Sequence, residues 1–363
     1  MGKSSKIFIY SIIACCLSLM ATLLLGEFLV RFLSPQDLQT YSPWYTSHPI
    51  YRFQHSAGIN TIKKWGNPYR LRTNSKGARS DREIAYNKKA LFRVVLLGDS
   101  MVFGNGVDQE DTFASVAQTL LRSGGRPDSE VVNLGVSAFG PDLETLFYEY
   151  EARKYAADIV LIGVCLANDI ADLSRSQAIF SLTETTLKPQ SYSPSKLKRL
   201  TENNVYRSIA THSHLLIFLR NFYTENFERS VRGTGEFSPE AQVADIDQNV
   251  RIYNLILKRL IKDIRQDNAI PMFLLFPTPG QVARAQGRNI PDPYLKHADL
   301  NAKMLQKHCK DLKVKCLDPL LLFNQYAGQV TDLFIPNDFH LSRIGHSLVA
   351  KLLAEQLFLS AER

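Results

Sequence analysis

The sequence predicts an α/β protein, a three-layer α/β/α sandwich around a five-stranded parallel sheet, preceded by one N-terminal transmembrane helix. Two observations carry this. From Phe92 onward, short β-branched or Leu-rich runs alternate with amphipathic stretches, the pattern of strands joined by crossover helices. Ahead of them, Ile7 to Gly26 is a run of 20 uncharged residues in which Ser11, Ser18 and Thr22 are the polar interruptions.

As a helix rising about 1.5 Å per residue, that run crosses roughly 30 Å of hydrocarbon. Lys3 and Lys6 precede it, so the positive-inside rule keeps the N-terminus cytoplasmic and exports the rest to the periplasmic side of the cell membrane. A cleaved signal peptide is the rival reading, but Leu23-Leu24-Leu25-Gly26-Glu27 offers no A-x-A-like site. Ile12-Ile13-Ala14-Cys15 faintly resembles a lipoprotein box, yet the apolar run continues past Cys15. The organisation expected is a cytoplasmic tip and anchor over 1–33, a membrane-proximal connection over 34–90 that packs in short pieces, and the main domain over 91–363.

Within the domain the candidate strands are Arg93 to Leu97, Glu130 to Leu134, Ile159 to Val164, Pro271 to Phe276 and Val314 to Leu317. Helical apolar spacing covers Thr112 to Arg122, Leu143 to Tyr155, Asp247 to Arg265 and Leu300 to Leu312. Ser342 to Leu359 reads as a last helix with Ser342 as its N-cap. An insert at about 174–244 separates the third and fourth strands by far more than a usual crossover, either as a surface decoration or as a wall over the site. Leu215, Leu216, Phe218 and Leu219 mark a short apolar helix inside it.

Composition narrows function mainly by exclusion. The chain has 363 residues, 45% hydrophobic and 21% charged, with a formal charge of +8. A positive balance attracts polyanions, but the basic residues are scattered. Their densest set, Lys196, Lys198 and Arg199, comes with no zinc spacing or stacking pattern, so no nucleic-acid partner is expected. Of five cysteines, Cys15 and Cys16 lie in the membrane run. An exported domain permits a Cys309 to Cys316 bridge, with buried free thiols as the simpler expectation. No metal spacing and no cofactor motif is present.

Ligands of open parallel sheets bind beyond the carboxyl ends of the strands. The residues there are Gly98-Asp99-Ser100, Gly135, and Asn168 in Ala167-Asn168-Asp169, with Asp338-Phe339-His340 before the last helix. They suit acyl transfer: a hydroxyl attacks a carbonyl, an imidazole takes its proton, and a carboxylate orients the imidazole. Ser100, His340 and Asp338 are therefore the candidate nucleophile, base and acid. The Ser100 N–H, the Gly135 N–H and the Asn168 amide are the candidate oxyanion donors. Asp99 and Asp169 are assigned to turn and loop stabilisation, and His346 to a structural place in the last helix.

Ser100, Gly135, Asn168 and His340 fall in the order that names the SGNH, or GDSL-type, hydrolases. Val94-Val95-Leu96-Leu97-Gly98-Asp99-Ser100, Val132-Asn133-Leu134-Gly135-Val136, Asn168-Asp169 and Asp338-Phe339-His340-Leu341-Ser342 with Gly345-His346 resemble that family's four blocks. Glu27 and Arg31 after the anchor, then Thr73-Asn74-Ser75-Lys76-Gly77, further resemble its bacterial membrane-tethered members. The resemblance covers Phe92 to the C-terminus, and it implies a flavodoxin-like sheet and metal-free esterase or acyl-transfer chemistry. The chain departs from the family in two places: Asn337 stands three residues before the histidine, where many members carry the acid, and Leu166 replaces a glycine two residues before the asparagine. The function expected is hydrolysis of carboxylic esters, acetyl esters or an acylated glycan among them. O-acyl transfer to a cell-surface polysaccharide uses the same triad and stays open, as does a tethered, non-catalytic glycan-binding or assembly protein.

Overall fold

The computed structural model describes residues 3–36, 38, 44–65, 67–88, 92–176, 180–183, 186–189, 199–200, 203–223 and 246–360. They fall into two compact units: Met1–Trp44 with Ser195–Phe237, and Tyr45–Pro194 with Ser238–Arg363.

The first unit holds α1 (Lys3–Leu33), in which Ile7–Leu33 is long and apolar enough to cross a membrane and has no buried residue in its apolar window. The second begins with two hairpins, β1 (Tyr45–His48) with β2 (Arg52–His55) and β3 (Asn60–Trp65) with β4 (Asn67–Arg72). Their alternation of polar and apolar residues hides them among the Pro, Tyr and basic residues read as a connection. Tyr51, Tyr69 and Leu71 are buried there, and His55 stacks on Phe103 at 3.9 Å between ring centroids.

Next come β5 (Phe92–Leu97), α2 (Ser100–Phe103), α3 (Phe113–Ser123), β6 (Ser129–Asn133), α4 (Pro141–Tyr150), β7 (Ile159–Cys165) and α5 (Asp169–Ser176). Pro141 starts α4 because a first-turn proline has no intrahelical N–H to lose. The insert contributes the hairpin β8 (Phe180–Thr183) with β9 (Thr186–Pro189) to this unit, and α6 (Asn204–Ala210) and α7 (His214–Tyr223) to the first unit. Within the insert, residues 177–179, 184–185, 190–198, 201–202 and 224–244 lie outside the described residues. The chain closes with α8 (Ile246–Gln266), β10 (Ile270–Phe276), α9 (Pro279–Ala285), α10 (Leu295–Asp311), β11 (Lys315–Leu317), α11 (Leu320–Asn324) and α12 (Arg343–Ser360).

The sheet is parallel throughout and runs β11-β10-β7-β5-β6, five strands flanked by helices as predicted. Side chains alternate between its faces. Val95, Leu97, Val160, Ile162, Phe273 and Leu275 join one core with α4 and α8, while Val94, Leu96, Ile159, Leu161, Met272 and Leu274 join the other with α3 and α12. Each such buried side chain contributes about 1.5–3 kcal/mol relative to exposure, which is why the strands read as continuous apolar runs. Strand order reverses between β5 and β7, the place where such sheets open a crevice.

The sequence leaves Cys309 and Cys316 open between a bridge and free thiols. Cys309 and Cys316 are paired in a disulfide, with Cα atoms 6.1 Å apart, rather than being free thiols. Lys313 at φ 51° reverses the chain between α10 and β11 and brings the two together. Denatured, unreduced protein is therefore expected to titrate three thiols, Cys15, Cys16 and Cys165, and reduced protein five; five without reductant would remove the bridge.

Candidate active site

The turn after β5 is shaped by close packing. A Cβ on Gly98 would lie 2.3 Å from Val102 Cγ2, so only glycine fits where the strand folds into α2. Asp99 caps α2, its Oδ1 accepting from Met101 N at 2.8 Å. Gly104, at φ 82°, ends the helix in the left-handed conformation. Ser100 is thus the first residue of a short helix, a position whose N–H has no intrahelical acceptor.

His340 arrives on a loop closed from both sides. Ile335 N donates to His340 O at 2.8 Å, and Phe334 and Leu341 form an antiparallel bridge. Asn337 takes the left-handed conformation at φ 59°, which asparagine tolerates better than most residues. That turn presents the next residue, Asp338, to the imidazole. Asp338 Oδ1 lies 2.7 Å from His340 Nδ1 and also accepts from His340 N at 3.0 Å. On the far side of the ring, His340 Nε2 lies 2.7 Å from Ser100 Oγ. Ser100 and His340 are 9% and 4% exposed. Phe339 stacks on the His340 ring at 4.7 Å and meets Tyr294 edge-on.

The three candidate oxyanion donors stand differently. Gly135 packs against the nucleophile turn so closely that a Cβ would lie 2.3 Å from Phe103 N. Its own N–H donates to Asn133 Oδ1 at 3.0 Å. Asn168 Nδ2 donates to Asp172 Oδ2 at 2.9 Å, which uses one of its two amide hydrogens. The Ser100 N–H makes no hydrogen bond to a protein acceptor among the described residues. Leu166, at the place of the family's glycine, is buried, its N–H donating to Phe276 O at 3.3 Å.

His346 is fully buried, accepts from Phe113 N at 3.2 Å through Nδ1, and is held neutral, its pKa lowered to about 3 by burial and then by Arg79 and His340. Below the site lies a packed acidic group of Asp99, Asp142, Glu144, Asp169 and Asp172, each 9% exposed or less. Burial raises Asp99. It pushes Glu144 well above the carboxylate range, with repulsion from Asp99, Asp142 and Asp172 added, and Asp169 likewise, with repulsion from Glu144, Asp99 and Asp172.

Sequence reasoning missed three supporting residues. Asn133 staples the second block to the nucleophile turn, its Nδ2 donating to Val102 O at 2.8 Å while its Oδ1 holds Gly135. Arg79 is 1% exposed and donates to the carbonyls of Gly104 and Val107, pinning the loop that follows α2. Asp172 holds the Asn168 amide. Asn-x-Gly at the end of a strand could have flagged Asn133; nothing in the sequence separates Arg79 from a surface arginine.

No protein-family model matches the chain, and no curated protein matches it. Solved structures do. A protein described as lipolytic, of the G-D-S-L family, from Desulfitobacterium hafniense DCB-2 is 12% identical, with a TM-score of 0.41 over 72% of this chain and 98% of its own. An acetylxylan esterase from Geobacillus stearothermophilus is 12% identical, with a TM-score of 0.44 over 74% and 95%. A lipase from a goat rumen metagenome is 14% identical, with a TM-score of 0.41 over 73% and 96%.

Proposed function

We propose that this chain is a membrane-anchored serine ester hydrolase of the SGNH type. The observation that carries the reading is the hydrogen-bonded line Asp338 Oδ1–His340 Nδ1, His340 Nε2–Ser100 Oγ, at 2.7 Å for each step. In the reaction it supports, Ser100 Oγ attacks the ester carbonyl as its proton passes to His340 Nε2. Asp338 fixes the imidazole tautomer and stabilises the imidazolium. His340 returns the proton to the leaving alkoxide, and water then resolves the acyl-enzyme by the same route.

Negative charge gathers on the carbonyl oxygen in the tetrahedral intermediate. In this reading the Ser100 N–H and the Asn168 amide receive it, and the Gly135 N–H joins them by sharing the bond it makes to Asn133. One such donor is typically worth about 3 kcal/mol in the transition state.

The anchor reading rests on α1, with Lys3 and Lys6 holding the N-terminus in the cytoplasm and the main domain on the periplasmic side. The Cys309–Cys316 pair supports that side, because disulfides persist in oxidising compartments.

Full-length protein in detergent is expected to hydrolyse p-nitrophenyl acetate and to react with a fluorophosphonate probe at Ser100, located by peptide mass spectrometry. Folded protein that does neither would favour the non-catalytic reading. Adding glycan acceptors to the same assay separates acyl transfer from hydrolysis, since only transfer adds the acyl mass to the sugar.

A further inference from the structure

The first unit contains a junction that neither catalysis nor simple anchoring requires. Gly26 meets α7 so closely that a Cβ there would lie 3.1 Å from Leu215 Cδ2. The next residue of α1, Glu27, caps α7. Its Oε1 accepts from His214 N at 2.9 Å, and its Oε2 accepts from Ser213 Oγ at 2.8 Å and Leu215 N at 2.9 Å. Arg31 holds Glu27 at 3.0 Å and donates to His212 O at 3.0 Å, while Gln36 N donates to His214 Nδ1 at 2.9 Å. A carboxylate at a helix N-terminus satisfies orphan N–H groups and complements the helix dipole. Here the acid comes from another helix, which locks the two together.

This joint sets the depth of α7. If Ile7–Gly26 fills roughly 30 Å of hydrocarbon, Glu27 stands at its outer boundary and α7 starts there. Leu215, Phe218, Leu219 and Phe222 share one stripe of α7, spaced at i, i+3, i+4 and i+7. The stripe begins on α1 at Leu215, and further along it Leu219 is 51% and Phe222 53% exposed. On α6, Val205 and Ile209, one turn apart, are exposed as well. The sequence from Ser195 to Tyr223 carries five basic residues, Lys196, Lys198, Arg199, Arg207 and Arg220, against the single acid Glu202.

We propose that α6 and α7 form an interfacial element that lies on the outer leaflet of the membrane α1 crosses, with Leu219 and Phe222 among the upper acyl chains and Arg199 and Arg220 near anionic headgroups. The occupant of this face is a phospholipid surface. An apolar stripe continuous with a membrane-spanning helix, with cationic flanks, is what such a surface binds. Part of the insert is thereby tied to the bilayer through Glu27. The inference rests on the anchor reading and is independent of the ester chemistry.

The test uses the full chain carrying Cys15→Ser and Cys16→Ser, with one nitrobenzoxadiazole label at Leu219→Cys, Asn221→Cys or Leu19→Cys, in vesicles of phosphatidylcholine and phosphatidylglycerol. Spin-labelled lipids are expected to quench the Leu219 label at least about twofold more than the Asn221 label on the opposite face, with blue-shifted emission. Glu27→Ala should remove at least about half of the Leu219 quenching and leave Leu19 quenching unchanged. A Leu219 label as water-exposed as Asn221, with Leu19 still quenched, overturns the interfacial element and spares the anchor. Quenching of the Leu219 label by a second spin-labelled copy instead of by lipid also overturns it. If Leu19 is not quenched either, the anchor falls and this inference with it. Ester hydrolysis in the same vesicles reports on the catalytic reading separately.

Discussion

Ser100→Ala is expected to leave the fold intact and to lower kcat for a carboxylic ester by about a millionfold, the scale seen when a triad nucleophile is deleted. The alanine fits because Ser100 Oγ is hydrogen-bonded to His340 Nε2, and its removal leaves the Asp99 cap on Met101 N and the packing of Val102 and Phe103 in place. Asp338→Asn should be graded below it, at about ten-thousandfold, because an asparagine amide facing Nδ1 stabilises the wrong imidazole tautomer for proton abstraction from Ser100. Steady-state rates on p-nitrophenyl acetate, with circular dichroism to verify folding, check both. The two variants separate the hypotheses. A non-catalytic chain would lose nothing in either. A chain whose acid lies elsewhere would lose activity in Ser100→Ala but less than about tenfold in Asp338→Asn, since an orienting carboxylate cannot be neutralised at so small a cost.

The sequence shows the spacing of Asp338 from His340 but not whether the carboxylate reaches the imidazole, and the reason is conformational. A carboxylate three residues before a histidine and one two residues before it need different turns to reach Nδ1. The sequence displays the spacing, while the turn depends on Asn337 entering the left-handed region at φ 59°. The strands were legible because parallel strands buried on both faces are unbroken apolar runs, as Ile159–Cys165 is. The hairpins over 45–72 were not, because they carry polar residues such as Arg52, Gln54, Lys63 and Arg70 and have no long apolar face. Ser100, Gly135 and Asn168 could be singled out as candidates because a parallel sheet gathers its strand ends, and His340 because it precedes the last helix. Asn133, Arg79 and Asp172 could not, because their importance lies in being buried against particular carbonyls and amides, and burial of a polar side chain leaves no periodic trace. The cysteine pairing stayed open for a related reason: the reversal at Lys313 is a local backbone event between a helix and a strand that were each anticipated.

Glu144→Gln is expected to stabilise the protein, and more so as pH rises. Burial beside Asp99, Asp142 and Asp172 holds the Glu144 pKa well above its unfolded value near 4.5. Between those two pKa values the folded protein carries a proton that the unfolded chain has released. Stability therefore falls with rising pH there, by up to about 1.4 kcal/mol per unit for one group. Glutamine has the same shape and nothing to ionise, so the variant escapes that loss. The gain over wild type should be small at pH 5 and clearly larger at pH 7.5. His346 acts in the opposite direction: with a folded pKa near 3 it stays neutral where the unfolded imidazole protonates, so its contribution is complete above pH 6.5 and is lost as pH falls toward 3. Because both proteins keep His346, its contribution cancels in the difference between them at each pH. Urea midpoints in detergent at pH 5 and 7.5, with m-values unchanged, measure that difference. A gain of equal size at both pH values would mean that Glu144 is ionised across the range, and that the acidic group beneath the nucleophile holds its charge in some other way.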